Sequence, residues 1–158
     1  MESGNLFFAL MFKGNEVLEK TMGELKAIFG DIKARSSQYD FNFTGYYEEE
    51  FGENLKKIII IFDKKINKDE LAEIKIKTRE IEVKSSMDKK RTINIDPGLV
   101  NSLEVILTSF KKKGFKECLE CGVFLHKVLE FEDGKVKEFW HTFPDFKDKE
   151  LQDFFLKL

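Results

Sequence analysis

Ile58-Ile59-Ile60-Ile61-Phe62 is the stretch on which the fold turns. A short apolar run between charged flanks, Lys56-Lys57 before and Asp63-Lys64 after, predicts an interior strand covered on both faces. Working back, Leu6 to Phe12 is a second such run. Between them Asn15 is expected to cap a helix with Leu18, Met22, Leu25 and Phe29 at helical spacing, stopped by Gly30, and residues 31–41 read as a strand. Working forward, Asn67-Lys68-Asp69-Glu70 has the capping-box pattern and opens a helix whose buried stripe is Leu71, Ile74, Thr78 and Ile81. Thr92 to Asp96 then reads as a strand ended by a Pro97-Gly98 turn.

The order through residue 98 is β-α-β-β-α-β, which predicts an α+β chain with a ferredoxin-like βαββαβ core and a mostly antiparallel sheet. Beyond it, Leu103 to Phe110, a segment around Cys118, and Val123 to Phe131 read as strands. A hairpin turning at Asp133-Gly134 follows, and Leu151, Phe154, Phe155 and Leu158 mark a closing amphipathic helix. The 158 residues suit one domain, with hydrophobic residues at 42%, charged residues at 35% and a core that must lean on 17 Phe.

The net charge of -2 supplies no global attraction to nucleic acid or anionic lipid, so nucleic-acid binding is not expected. The run Leu6 to Phe12 is too short to span a membrane and lacks a basic leader, and two cysteines are too few for a disulfide framework. A cytoplasmic protein is expected.

Three polar-aromatic segments stand out as candidate site loops: Phe43 to Gly52, Asn94 to Gly98, and Thr142 to Phe146. In the first, Tyr46 and Tyr47 cannot both face a core, and Thr44 and Glu50 lie beside them. In the second, Asn94 and Asp96 share one strand face, although an Asx-turn would account for Asp96 equally well. Lys75, Arg79 and Glu82 fall on a helix face beside the apolar stripe, where long side chains can reach over the sheet.

The simplest site these residues make is one for a small anionic or phosphorylated ligand. Asp96 and Glu50 would act as general base or cation ligands, Lys75 and Arg79 as charge clamps, and Tyr46 or Tyr47 as a platform. Hydrolysis or group transfer suits it better than redox chemistry, since no nucleotide-cofactor fingerprint is present. If Glu50, Asp96 and Asp145 converge, their oxygens suit Mg²⁺ or Ca²⁺, though each carboxylate also has a local capping explanation. Cys118 and Cys121 with His126 and His141 give a weak zinc pattern, because an extended chain points the two cysteines to opposite faces. The competing class is an interaction module for RNA or a protein. It would use Lys89 to Arg91 and Lys111 to Lys113, the latter flanked by Phe110 and Phe115.

In order along the chain, F-x-F-T-x-Y-Y-x-x-E-x-G, I-K-x-x-T-x-x-I-E, R-x-x-N-I-D-P-G and a terminal Pro-Asp before an aromatic helix resemble the family catalogued as domain of unknown function 4416. The resemblance spans nearly the whole chain. It adds Thr78 and Thr142 to the candidate ligand-binding residues, beside Thr44, Tyr46, Tyr47, Lys75, Asn94 and Asp145. The resemblance implies no activity. The chain departs from that pattern at Phe51, Arg79, Leu99 and Phe146, where the family pattern has Met, Asn, Tyr and Tyr, and it lacks the His-Arg-x-Tyr expected near residues 115–118.

Overall fold

In the computed structural model, residues 3–110, 117–118 (backbone only) and 122–158 are described. The Ile58 to Phe62 run lies inside β4 (Lys56–Asn67), which pairs antiparallel with β1 (Ser3–Phe12) on one side. On its other side it meets β2 (Ile32–Arg35) and the two-residue β3 (Tyr39–Asp40). β1 in turn pairs with β5 (Ile93–Val100), β5 with β6 (Glu104–Ser109), and β6 with β8 (Phe124–Glu132). β7 (Glu117–Cys118) and β9 (Lys135–Glu138) both pair with β8, and every one of these pairings is antiparallel. The sheet therefore runs β2-β4-β1-β5-β6-β8-β7.

Strict alternation along β1 explains its unbroken apolar sequence. Phe8, Leu10 and Phe12 face the core built by α1 (Asn15–Phe29) and α3 (Leu71–Lys84), while Phe7 and Ala9 face the one closed by α4 (Lys149–Leu156). The expected stripes Leu18-Met22-Leu25-Phe29 and Leu71-Ile74-Thr78-Ile81 are all buried. Leu151 and Phe155 seat α4, but Leu158 ends exposed, beyond the last helical turn.

Several local expectations change. Gly14 rather than Asn15 is the N-cap of α1, and Asn15 is its first helical residue. Residues 48–51 form a short helix, α2 (Glu48–Phe51). α3 is entered through a 3₁₀ turn at Lys68–Glu70, where the Asn67 N–H donates to Glu70 Oε2 at 2.6 Å.

The Pro97-Gly98 pair does not end its strand, because β5 continues to Val100. Pro97 is tolerated for a reason visible in its carbonyl, which accepts the Thr108 hydroxyl at 2.6 Å from the β6 side. The nitrogen of a strand residue points the same way as its carbonyl, and the β5–β6 ladder starts only at Gly98, so no ladder bond is lost. Gly98 is needed for close approach rather than for a positive φ. A Cβ there would collide with the Ile106 carbonyl and the Phe7 ring. Asp133 and Gly134 do take φ of 51° and 71°, as a two-residue hairpin turn demands.

Among the described residues no helix is long and apolar enough to cross a membrane.

Candidate functional site

β5 and β6 are hydrogen-bonded only over Gly98 to Val100, so residues 93–97 of β5 and the end of β6 part company. α3 fills the split with polar side chains. Glu82 Oε2 accepts the Ile95 N–H at 2.6 Å, and Lys75 Nζ donates to the Ile95 carbonyl at 3.0 Å. Both backbone groups that a neighbouring strand would have taken are thus satisfied by one helix. The expectation that Lys75 and Glu82 reach over the sheet is met, and both are buried. Arg79 lies at the rim, with its side chain half exposed and only a 4.0 Å pair to Glu82.

A cavity of about 560 Å³ opens at this split, within the size range of small-molecule sites. Of the residues expected to bind or act on an anionic ligand, it gathers Thr44, Tyr46, Tyr47, Glu50, Lys75, Arg79, Asn94, Asp96 and Asp145, but not Thr78 or Thr142. Thr78 is buried with its hydroxyl donating to the Lys75 carbonyl at 3.0 Å, so it is satisfied within α3. Thr142 closes a turn, accepting the Phe139 N–H at 2.8 Å and donating to the Val128 carbonyl at 2.7 Å.

The polar wall is a chain of ion pairs. Asp96 Oδ1 accepts from Lys75 Nζ at 2.8 Å and Oδ2 from Asn94 Nδ2 at 3.0 Å, so no Asx-turn forms. Asn94 Oδ1 in turn accepts from Arg91 at 2.8 Å. Arg91 grips both oxygens of Glu50, at 2.7 and 2.9 Å, with its backbone N–H adding a third bond at 3.0 Å. That fork ties α2 to the start of β5. On the far side, buried Asp145 accepts from Lys57 Nζ at 2.7 Å and from the Tyr39 hydroxyl at 2.8 Å. Asp145 sits in a 3₁₀ turn, Pro144–Lys147, and the cap of α4 is Asp148 instead.

These pairs set the charge states. Burial alone would raise the Asp96 carboxyl, but the charge and hydrogen bond of Lys75 outweigh it and hold Asp96 below its ordinary value. Hydrogen bonding to Arg91 lowers Glu50 as well. Burial pushes Glu82 up, against the opposing pull of Lys75 and the Ile95 N–H. Burial also raises the phenols of Tyr39 and Tyr47, each helped by a nearby carboxylate, Asp145 for the first and Asp96 for the second. A carboxylate held this low is a weak base, and neither oxygen of Glu50 is spare. The charged groups of the wall are therefore held in fixed positions by one another.

Glu50, Asp96 and Asp145 line one cavity, but each turns to a lysine or arginine rather than to the others. Among the described residues no group of three His, Cys, Asp or Glu lies close enough to hold a metal ion. His126 and His141 do meet, with ring centroids 4.8 Å apart, but the His126 Nε2 contacts the His141 carbonyl at 3.1 Å. Cys121 and the Cys118 side chain lie outside the described residues, as do Lys111 to Lys113 and Phe115 of the basic patch.

Lys57, Arg91 and Phe110 are cavity residues that the sequence reading left out of the site. Lys57 stands between an apolar strand and a lysine neighbour, and nothing local announces its partner 88 residues away. Arg91 carried a signal, since it belongs to the R-x-x-N-I-D-P-G pattern, but it read as part of a solvated basic run. Phe110 lies under two cations, 5.2 Å from Lys75 Nζ and 5.7 Å from the Arg79 guanidinium.

Fold and site together define an α+β protein whose antiparallel sheet is split around a charged, aromatic-lined cavity. The chain belongs to the family described as domain of unknown function (DUF4416), which matches residues 2–158. No curated protein and no solved structure matches it.

Proposed function

We propose that the cavity binds a small anionic ligand, a carboxylate or phosphate ester, at the split between β5 and β6. The observation that carries this reading is its charge balance. Lys57, Lys75, Arg79 and Arg91 line it against three carboxylates, Glu50, Asp96 and Asp145. Asp145, Asp96 and Glu50 hold the first, second and fourth of these cations in place, whereas Arg79 reaches Glu82 only at 4.0 Å and stands at the rim. An incoming anion meets a guanidinium whose present pair is long, backed by a lysine already fixed by Asp96.

In this reading Asp96 fixes Lys75 and Asn94, and Glu50 fixes Arg91. Both are positioning groups rather than the general bases or cation ligands first expected of them. Hydrolysis or group transfer on the bound anion remains compatible with the wall, with polarisation by the cations as its main contribution. The order β2-β4-β1-β5, with α1 and α3 on one face, supports a ferredoxin-like reading of the first 100 residues. The cavity then lies where that core meets its C-terminal extension.

The test is thermal unfolding across sugar phosphates, nucleotides, carboxylic acids and the cations Mg²⁺, Ca²⁺ and Zn²⁺. A bound anion at 100 times its dissociation constant adds about 2.7 kcal/mol, a rise of roughly 5 to 10 °C in a chain of this size. No rise with any anion would end the proposal.

A further inference from the structure

We infer that the anion this cavity takes carries a planar aromatic ring, a deeper statement that rests on the anion-binding reading above. Two kinds of wall face the same space. Lys75 and Arg79 both lie against the Phe110 ring, at 5.2 and 5.7 Å from its centre, and define a charged end. Opposite in chemistry is an aromatic ladder on the segment between β3 and α2.

In that ladder Phe43 packs on Phe41 at 5.8 Å, Phe41 on Tyr47 at 6.0 Å, and Tyr47 on both Tyr46 and Phe51 at 5.0 and 6.1 Å. All four contacts of ring with ring are edge-to-face or close to it, an arrangement that fixes each ring without covering both of its faces. The inner end is anchored, because Phe51 is buried with Met11 and Leu55 and the Glu50–Arg91 fork pins the same short helix. The outer end is wet, with Phe43 44% and Tyr46 64% exposed, and both line the cavity. Large rings held rigidly at a cavity mouth lose little entropy on binding and gain area when a flat ligand covers them.

A bare inorganic anion would use the charged end and leave this wall in water. The cavity is large enough for a ligand that spans both. The lining carries four cationic groups and three carboxylates, with Glu82 behind Arg79 and Arg91, so the charge it leaves to balance suits a ligand with no more than a single anionic group.

Calorimetric titration of the full chain with phenyl phosphate and with methyl phosphate tests this, since the two probes share the anion and differ in the ring. Phenyl phosphate should bind at least about tenfold more tightly. That advantage should shrink to about twofold in Phe43→Ala and in Tyr46→Ala, two exposed positions whose replacement leaves the unfolding midpoint near that of the wild type. Equal affinity of the two esters, or an advantage that survives both replacements, overturns the ring and leaves the anion site standing. If neither ester binds, the phosphate-ester form of the anion-binding reading fails and takes the ring with it.

Discussion

Lys75 Nζ lies 2.8 Å from Asp96 Oδ1, joining the middle of α3 to a strand whose neighbour has peeled away. The same ammonium donates to the Ile95 carbonyl, so one lysine stands in for a missing strand and holds the wall of the cavity. Replacing it by Met strands a partly buried carboxylate and a backbone carbonyl together. Lys75→Met should cost about 3 to 5 kcal/mol in urea unfolding. Arg79→Ala, at the exposed rim, should stay within about 0.5 kcal/mol. Comparable losses at the two positions would contradict this division of roles.

Gly98 is set by packing across the sheet. In Gly98→Ala the new methyl meets the Phe7 ring and the Ile106 carbonyl, and the strand must shift to admit it. The expected loss is about 1 to 3 kcal/mol, read as a lower denaturant midpoint at unchanged slope. A neutral substitution would mean that the β5–β6 junction yields more easily than its geometry implies.

Tyr39 donates to Asp145 from the strand side while Lys57 holds the same oxygen. Tyr39→Phe keeps the ring and removes the donor, so it should cost about 1.5 kcal/mol and lower the unfolding midpoint by roughly 3 to 6 °C. An unchanged midpoint would show that Lys57 alone satisfies Asp145.

Acid should loosen the wall in a defined window. Glu50 and Asp96 have folded pKa values below their ordinary ones, so their stabilisation is fully present above the unfolded carboxyl values near about 4. It is lost as pH falls through the lower, folded values. Glu82, raised by burial, acts in the opposite sense: its contribution is present below its unfolded value and is lost as pH rises through the folded one. Unfolding midpoints measured from pH 3 to pH 7 should therefore fall more steeply at the acid end for the wild type than for Glu50→Gln. Parallel curves would remove Glu50 from the acid response.

Much of this was legible because periodicity survives folding. Ile58 to Phe62 and Leu6 to Phe12 read as strands covered on both faces, and they are. Asn94 and Asp96, two apart, read as sharing a face, and their side chains touch at 3.0 Å. Local rules failed where distant chain segments decide. Pro97 and Gly98 look like a turn, yet a strand runs through them because β6 approaches only from Gly98 onward. Thr78 and Thr142 belong to the family pattern, yet their hydroxyls close backbone bonds away from the cavity. Lys57 carried no signal, since the Asp145 and Tyr39 that define its place arrive from separate parts of the chain.

The measurement that bears most directly on the anion site is calorimetric titration of phenyl phosphate into wild-type protein and into Arg79→Ala. The account predicts saturable binding to the wild type, weakened about tenfold or more in Arg79→Ala, with the unfolding midpoint of the unliganded variant unchanged. Equal affinity for the two proteins, or no binding to either, would contradict it.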